Sequence, residues 1–217
     1  MKNLKVVIFT VVGFIVAFIA GSFIYEKSMS SKLDSISGAD GAPFVREHSP
    51  KFGKNGKNVT VVEILDPECG ACAVFYPVVE KILDDYGDDI ELVIRYMPNH
   101  TNSKDVIKIL EASRMQGKYK ETLDIIFDSQ QTWGKYGDPK PDLIWDYVKL
   151  IDGLDIEKLK IDMEDEKILK IINIDTEDVN KLGVTGTPTF FVNKKKLEKL
   201  SYKDLDELVR SEISKTK

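Results

Sequence analysis

The sequence predicts an α/β domain that carries an inserted block of helices and follows a single N-terminal membrane-spanning helix. Three observations lead to this architecture. Residues 6–25 contain no charged side chain. From Val59 onward, strand-like and helix-like segments alternate, and a long stretch with helical periodicity separates the second strand from the third. The 217-residue chain is 42% hydrophobic and 31% charged with a net charge of -5, which excludes a disordered or polytopic membrane protein and argues against general nucleic-acid binding.

The N-terminal apolar segment, Val6–Tyr25, is 20 residues long. As a helix it would span about 30 Å, the thickness of a bilayer core. Two lysines precede it, and the charges that follow it cancel, so the positive-inside rule predicts a cytoplasmic N-terminus and an extracytoplasmic remainder. A cleaved signal peptide is the alternative, although its apolar region is usually about 7–15 residues long. We therefore expect a single-pass anchor in the cytoplasmic membrane over residues 1–25.

Residues 26–57 are rich in serine, glycine and lysine and show little apolar periodicity. This composition is typical of a linker with an ordered end. The folded domain is then expected over residues 58–217.

The first part of that domain is predicted to be a βαβ unit. Val59–Leu65 is β-branched and apolar on both faces, as a central strand should be. Residues 71–86 carry a helical apolar stripe, and Ile90–Tyr96 forms a second strand. Parallel strands joined through a helix imply a right-handed crossover.

Five helical segments are predicted next, as an insertion at about residues 101–174 whose last helix continues to about Leu182. The chain then returns to the sheet at Thr189–Val192. A short strand is expected over residues 197–200, after a polar turn, and an amphipathic helix follows it.

The two cysteines of the chain, Cys69 and Cys72, form one Cys-Gly-Ala-Cys unit where the first strand passes into the helix. Such a pair is typical of thiol–disulfide redox chemistry, because the unpaired amides and the dipole of a helix N-terminus stabilise a thiolate. We expect Cys69 to be the exposed attacking thiol and Cys72 the buried resolving thiol. Gly70 and Ala71 are small enough to let a partner chain approach the sulfur.

The cysteine pair has two other interpretations. Half a zinc site would need His48 and His100 as further ligands, and their separations of 21 and 28 residues from the pair do not match a zinc finger or ribbon. A structural disulfide across two residues would close a short loop and stabilise little. We therefore expect no metal and no cofactor.

Glu63 lies six residues before Cys69, inside an otherwise apolar strand. A carboxyl group buried there would have a raised pKa and could exchange a proton with Cys72, which makes it a third candidate catalytic residue. The alternative is a strand glutamate that reaches solvent past its neighbours.

Three further polar residues are candidates for a place near the cysteine pair. Asp66 and Glu68 flank the cysteines, and their charges are expected to raise the pKa of Cys69. His100, which opens the helical block, is expected to be a solvated loop histidine, and the alternative is a position near the substrate groove.

Pro188 stands at the start of the third strand, in Gly186-Thr187-Pro188-Thr189. Proline is tolerated there only where its missing N–H does no harm. A cis Thr187–Pro188 bond would bring this loop against the cysteines and leave backbone groups free to pair with an extended peptide. Thr187 and Pro188, together with Gly70 and Ala71, are the predicted substrate-binding residues.

These motifs together resemble the thioredoxin superfamily: an acid six residues before Cys-x-x-Cys, a proline five residues after it (Pro77), and Gly-Thr-Pro-Thr-Phe-Phe before the last hairpin. The helical block and the strings Arg95-Tyr96-Met97-Pro98 and Val184-Thr185-Gly186-Thr187-Pro188 resemble the DsbA family, which inserts such a block into the thioredoxin fold. The resemblance covers residues 58–217. It implies a protein disulfide oxidoreductase that acts on cysteine-containing exported proteins and is recycled by a membrane redox partner.

One departure from that family leaves the direction of the reaction open. DsbA-type oxidants commonly carry Cys-Pro-His-Cys, and Gly70 and Ala71 supply no histidine. Disulfide formation in exported proteins is the expected function, and an anchored reductase is the first alternative. An isomerase is disfavoured because residues 26–57 are too few for a dimerisation domain. A non-catalytic peptide-binding module and a metal carrier are further alternatives.

Overall fold

A computed structural model describes residues 2–38 and 41–216, which fall into two compact units. The first unit ends at Ser37 and consists of helix α1, Lys2–Ile36. Within the described residues, Val6–Tyr25 is the one segment that is long and apolar enough to cross a membrane. The helix continues past Tyr25 to Ile36, so the first part of the predicted linker is helical.

The second unit begins at Gly38, and its described residues contain a five-stranded mixed sheet in the order β1-β3-β2-β4-β5. Strands β2 and β3 are parallel, and the other neighbouring pairs are antiparallel. β2 is central, as predicted from its apolar residues on both faces. The strands are β1 (Lys51–Phe52), β2 (Val59–Leu65), β3 (Ile90–Tyr96), β4 (Thr189–Val192) and β5 (Lys195–Lys196).

Helix α2, Gly70–Tyr86, connects β2 to β3 and packs its apolar stripe on one face of the sheet. The rings of Phe75 and Phe190 lie 5.2 Å apart between their centroids, which fixes the start of α2 against β4. Because β4 follows directly after Pro188, this contact also positions the proline loop next to the cysteines.

The helical block follows β3, and a final helix closes the chain against the sheet. The block ends in one continuous 16-residue helix, Glu166–Lys181, which runs past the boundary of 174 expected for the insertion. The helices are α3 (Ser103–Arg114), α4 (Tyr119–Asp128), α5 (Gln130–Trp133), α6 (Ile144–Val148, after a 3₁₀ turn at Pro141–Leu143), α7 (Ile156–Asp162), α8 (Glu166–Lys181) and α9 (Tyr202–Ile213).

The last hairpin differs from the prediction. Strand β5 is Lys195–Lys196, not residues 197–200. The reason is the turn: Asn193 and Lys194 both adopt positive φ, of 46° and 69°, which makes a tight two-residue hairpin turn. The return strand therefore starts two residues earlier than the apolar residues suggested.

The second half of the predicted linker is also ordered. Residues 43–49 pack against the face of the sheet opposite α2 through a charge cluster that we call the clip: Arg46, His48, Arg95, Asp175 and Asp178. Arg95 is fully buried and contacts Asp175 Oδ1 at 2.7 Å and Asp178 Oδ2 at 2.9 Å. Arg46 Nε lies 2.7 Å from Asp178 Oδ2, and His48 Nε2 lies 2.7 Å from Asp175 Oδ1. Residues 39 and 40 of the predicted linker lie outside the described residues.

Candidate redox site

Cys69 occupies the N-cap of α2, at the end of a turn formed by residues 66–69, which we call the redox turn. Its backbone is extended there, with φ -71° and ψ 117°, and its N–H donates to the Asp66 carbonyl at 3.0 Å. Since the first amides of a helix have no intrahelical partner, those of Ala71 and Cys72 remain available to the sulfur of Cys69.

The two thiols differ in burial. Cys69 retains 9% of its surface, whereas Cys72, one turn into the helix, retains none. Neither forms a disulfide in this structure. Cys69 is therefore the accessible member of the pair, although it is less exposed than expected from the sequence.

The pKa of Cys69 is lowered to about 5. The largest cause is a hydrogen bond from the Cys72 thiol, and burial opposes it. The side chain of Thr187 and the backbone amides of Cys72 and Ala71 lower the pKa further. At neutral pH the reduced site thus carries a thiolate on Cys69, the form that attacks disulfides and leaves from them readily.

The pKa of Cys72 moves in the opposite direction, well above its ordinary value. Burial is the main cause, and the negative charges of Cys69 and Glu63 add to it. A thiol held protonated beside a thiolate can donate to that thiolate, which is the arrangement that stabilises Cys69.

Glu63 is buried, with 1% of its surface exposed, and lies between Ile94 of β3 and Phe190 of β4 in the sheet register. Its Oε1 has no hydrogen-bond partner among the described residues. Burial, with a smaller contribution from the charge of Glu80, raises its pKa to about 8. A carboxyl group with that pKa changes its protonation near neutral pH, as a proton donor and acceptor for Cys72 must.

The proline loop lies against Cys69. The Thr187–Pro188 bond is cis, and the Cys69 sulfur lies 3.3 Å from the Thr187 carbonyl oxygen, to which it donates when it is protonated. Gly70 and Ala71 are exposed beside it. The structure thus brings the four predicted substrate-binding residues to one rim around the sulfur.

The expected repulsion from Asp66 and Glu68 does not govern Cys69, whose pKa falls instead of rising. Both carboxylates are engaged elsewhere. Asp66 accepts hydrogen bonds from the backbone of Glu68 and Asn99 and from the ring of His100. Glu68 accepts two from Asn102, at 2.7 and 2.8 Å.

The two histidines contact different aspartates, and the structure does not bring them together as the zinc ligands considered above. His48 contacts Asp175 in the clip, and His100 contacts Asp66 at the redox turn. Within residues 2–38 and 41–216, no group of three or more His, Cys, Asp or Glu side chains could hold a metal ion.

Sequence reasoning missed the side chains that fix the redox turn from the helical block. Asn102 and Gln130 are the two clearest cases: Gln130 Nε2 donates to the Glu68 carbonyl at 2.9 Å. Both come from segments remote in sequence, and their polar pattern is that of ordinary helix ends. The one signal in the sequence is the pair of acids in Asp66-Pro67-Glu68, whose carboxylates need hydrogen-bond donors if they are buried.

Comparison with known proteins agrees with this geometry. A family model described as thioredoxin matches residues 46–211. "Disulfide bond formation protein D" of Bacillus subtilis (strain 168) is 27% identical over 175 residues, covering 76% of this chain and 77% of that protein. A thioredoxin-like oxidoreductase from Silicibacter pomeroyi DSS-3 superposes with a TM-score of 0.69 at 26% identity, over 81% of this chain and 97% of the other.

Other matches concern the fold or a segment alone. The Wolbachia pipientis protein alpha-DsbA1 has a TM-score of 0.71 at 20% identity, over 82% of this chain and 97% of its own, a likeness of fold. The Na(+)/H(+) antiporter NhaA of Herminiimonas arsenicoxydans is 28% identical over 145 residues, which are 67% of this chain and 22% of the antiporter. This chain therefore spans about a fifth of the length of that relative, and ion transport does not carry over to it. From the family model, the fold and the cysteine geometry together, the chain belongs to the thioredoxin family.

Proposed function

We propose that this protein forms disulfide bonds in exported proteins through the Cys69/Cys72 pair, on the extracytoplasmic side of the membrane to which α1 anchors it. The observation that carries the proposal is the low pKa of Cys69, about 5. Stabilising the thiolate stabilises the reduced pair, and a stable reduced form makes the corresponding disulfide a strong oxidant.

The reaction begins with the Cys69–Cys72 disulfide. A substrate thiolate attacks the sulfur of Cys69, a substrate–Cys69 disulfide forms, and the bond to Cys72 breaks. Cys72 leaves as a thiolate and takes up a proton, for which Glu63 is the buried donor.

A second substrate thiolate then attacks the substrate sulfur of the mixed disulfide. Cys69 leaves as the stabilised thiolate, and the substrate gains a disulfide. Two substrate thiols have lost two electrons to the pair. Extended backbone on the substrate side would pair with the rim formed by Thr187 and Pro188.

The reduced pair needs an oxidant for the next cycle. We propose a membrane partner that carries a disulfide and passes the electrons to a quinone, so the protein itself needs no bound cofactor. An anchor over Val6–Tyr25 would confine both proteins to one membrane.

The deciding experiment is the equilibrium of the pair with glutathione, measured on the full chain in detergent micelles by the fluorescence of its two tryptophans. A reduction potential near about -120 mV is expected for an oxidant of this kind. A value near about -270 mV would instead favour the reductase, which runs the same steps in reverse.

Two variants separate catalysis from peptide binding. Cys69→Ser is expected to abolish oxidation of a reduced test protein, because no mixed disulfide can form. Cys72→Ser cannot form the oxidising disulfide, but its Cys69 thiolate still attacks a disulfide of an oxidised test protein and releases one of that protein's thiols. The resulting mixed disulfide should accumulate, because Cys72 is unavailable to break it, and the adduct is visible by mass spectrometry. If Cys69→Ser retains oxidase activity, the assignment of the attacking thiol is wrong.

A further inference from the structure

The loop that leads from β3 into α3 is fastened to the redox turn. Four hydrogen bonds join them. Asp66 Oδ2 accepts from Asn99 N at 2.8 Å and contacts His100 Nδ1 at 2.7 Å. Glu68 accepts from the backbone and the side chain of Asn102. The loop is therefore held against the turn that carries Cys69, although 34 residues separate His100 from Asp66 in sequence.

Asp66 links the histidine to the cysteine. Its side chain is fully buried and accepts three hydrogen bonds, from the backbone of Glu68 and Asn99 and from His100. Its own carbonyl accepts the N–H of Cys69 at 3.0 Å. The same residue thus orients the imidazole on one side and the N-cap of α2 on the other.

We propose that His100 is the positive charge that stabilises the Cys69 thiolate in this protein, supplied from the β3–α3 loop and oriented by Asp66. The Cys-Gly-Ala-Cys motif contains no histidine of its own. His100 is thus a positioning and electrostatic residue for the redox pair.

The charges around the turn favour a cation at this position. Asp66 and Glu68 place two negative charges beside a third, the thiolate of Cys69. With Nδ1 on Asp66, the His100 side chain still keeps 39% of its surface, so it is not enclosed by its partner. An imidazolium here offsets the Asp66 charge and leaves the thiolate less repelled.

The acidity of His100 agrees with this arrangement. Burial lowers its pKa, but the hydrogen bond from His100 to Asp66 and the negative charges of Asp66, Cys69 and Glu68 raise it by more. The net shift is upward, so the charged form persists at higher pH than in a free histidine. Because coupling between two titrating sites is reciprocal, a thiolate that favours the imidazolium is itself favoured by it.

The first test titrates the ring signals of both histidines by NMR, on the full chain in detergent micelles, in its dithiol and disulfide forms. The disulfide carries no charge, so the pKa of His100 is expected to fall on oxidation. His48 is the internal control: it also lies 2.7 Å from an aspartate, but that aspartate is Asp175 of the clip and not Asp66 of the redox turn. Equal pKa values for His100 in the two forms would overturn the proposal.

The second test is His100→Asn, whose amide can keep the hydrogen bond to Asp66 without the charge. The pKa of Cys69, taken from the pH dependence of its alkylation rate, is expected to rise by about one unit. That change corresponds to about a tenfold weaker preference for the reduced form against glutathione, or a potential lower by ~30 mV.

The difference between wild type and variant should shrink as pH rises through the pKa of His100, because both then lack the charge. His48→Asn serves as the matched control and should leave the pKa of Cys69 unchanged. A rise in both variants would indicate a general effect of histidine loss on the fold and would contradict the specific role.

This inference rests on Cys69 being the attacking thiol, yet its tests do not need oxidase activity. If the histidine titrations respond to the redox state but no oxidation of substrates occurs, the proposed function fails and the pairing stands. If substrates are oxidised, but the pKa of His100 is the same in both redox forms and the pKa of Cys69 is unchanged in His100→Asn, only the role of His100 fails.

Discussion

At the scale of the residue, Glu63 is a side chain whose burial costs the folded protein free energy. It is a carboxyl group in the middle of a buried strand, and Oε1 finds no partner among the described residues. Folding an ionised carboxylate into such a place is expensive, which is why its pKa rises to about 8. A residue that costs stability and whose charge acts on the buried Cys72 thiol fits a chemical role better than a structural one.

Glu63→Gln is therefore expected to stabilise the folded protein and to slow the release of Cys72 during the reaction. The folded pKa of about 8 exceeds that of an unfolded glutamate, so unfolding releases a proton between these pH values and wild-type stability falls as pH rises through them. The variant does not lose stability in this way, because glutamine has no ionisable carboxyl group. At pH 7 it should be more stable by roughly 3 kcal/mol, with no difference below about pH 4.

Urea unfolding followed by tryptophan fluorescence measures this difference, and Glu157→Gln, at an exposed position, is the control with no expected pH-dependent gain. Rapid-mixing kinetics should show the step that releases Cys72 slowed by at least about tenfold. A variant that is no more stable at pH 8 than wild type would show that Glu63 is ionised in the folded protein.

At the scale of the element, the clip attaches the segment before β1 to strand β3 and helix α8. Its ionic contacts join residues up to 132 positions apart, and they lie on fully buried or largely buried side chains. Removing one partner of a buried pair leaves the other charge without compensation, which is far costlier than losing a surface pair.

Asp178→Asn is accordingly expected to cost roughly 3–5 kcal/mol at pH 7. Burial raises the pKa of Asp178, but Arg46 and Arg95 lower it by more, to about 2. The folded pKa lies below the unfolded one, so this contribution is present above about pH 4 and fades as pH falls toward 2.

The free energy of unfolding measured at pH 7 and near pH 2.5 tests that window. Asp88→Asn is the control, because Asp88 pairs with Lys54 at 2.8 Å in solvent and should contribute little. Equal losses for the two variants would mean that the clip is not a buried ionic cluster in solution.

The elements themselves were predictable where periodicity was strong. The central strand, helix α2, the parallel partner strand and the strand after Pro188 follow from runs of apolar residues and from Gly and Pro punctuation. Strand β1 has only two residues, and no periodicity exists over that length. The hairpin register depended on two positive-φ residues, Asn193 and Lys194, and a lysine there gives no turn signal.

At the scale of the whole molecule, labelling of the two cysteines can show on which side of the membrane the folded domain lies. No other thiol exists in the chain. With the pair reduced, a membrane-impermeant maleimide applied to intact cells is expected to label wild type and not Cys69→Ser, since Cys72 is fully buried. Labelling only after the cells are lysed would place the domain in the cytoplasm and contradict the charge-based orientation.

The site was only partly predictable from the sequence, because some of its residues lie in local motifs and others come from distant segments. Cys69, Cys72, Glu63 and Pro188 lie in or beside local motifs, so the sequence identifies them as candidates. The sign of the effect at Asp66 and Glu68 was not predictable, because it depends on donors at Asn99, His100 and Asn102 that only folding brings there. The local sequence therefore identifies the reacting sulfurs, whereas the contacts that Thr187, Asn99, His100 and Asn102 make at the site arise only on folding.

The four-hydrogen-bond junction between the redox turn and the β3–α3 loop has a consequence for protein engineering. Transplanting the tetrapeptide Cys-Gly-Ala-Cys into another thioredoxin scaffold would move the sulfurs and leave behind the groups that tune them. A faithful graft would have to carry residues 66–72 and 99–102, together with Thr187 and a support for Glu68 such as Gln130. The surroundings of Cys69 thus come from segments that are far apart in sequence. A library that varies only the two residues between the cysteines would therefore sample a small part of the reduction potentials that this fold can reach.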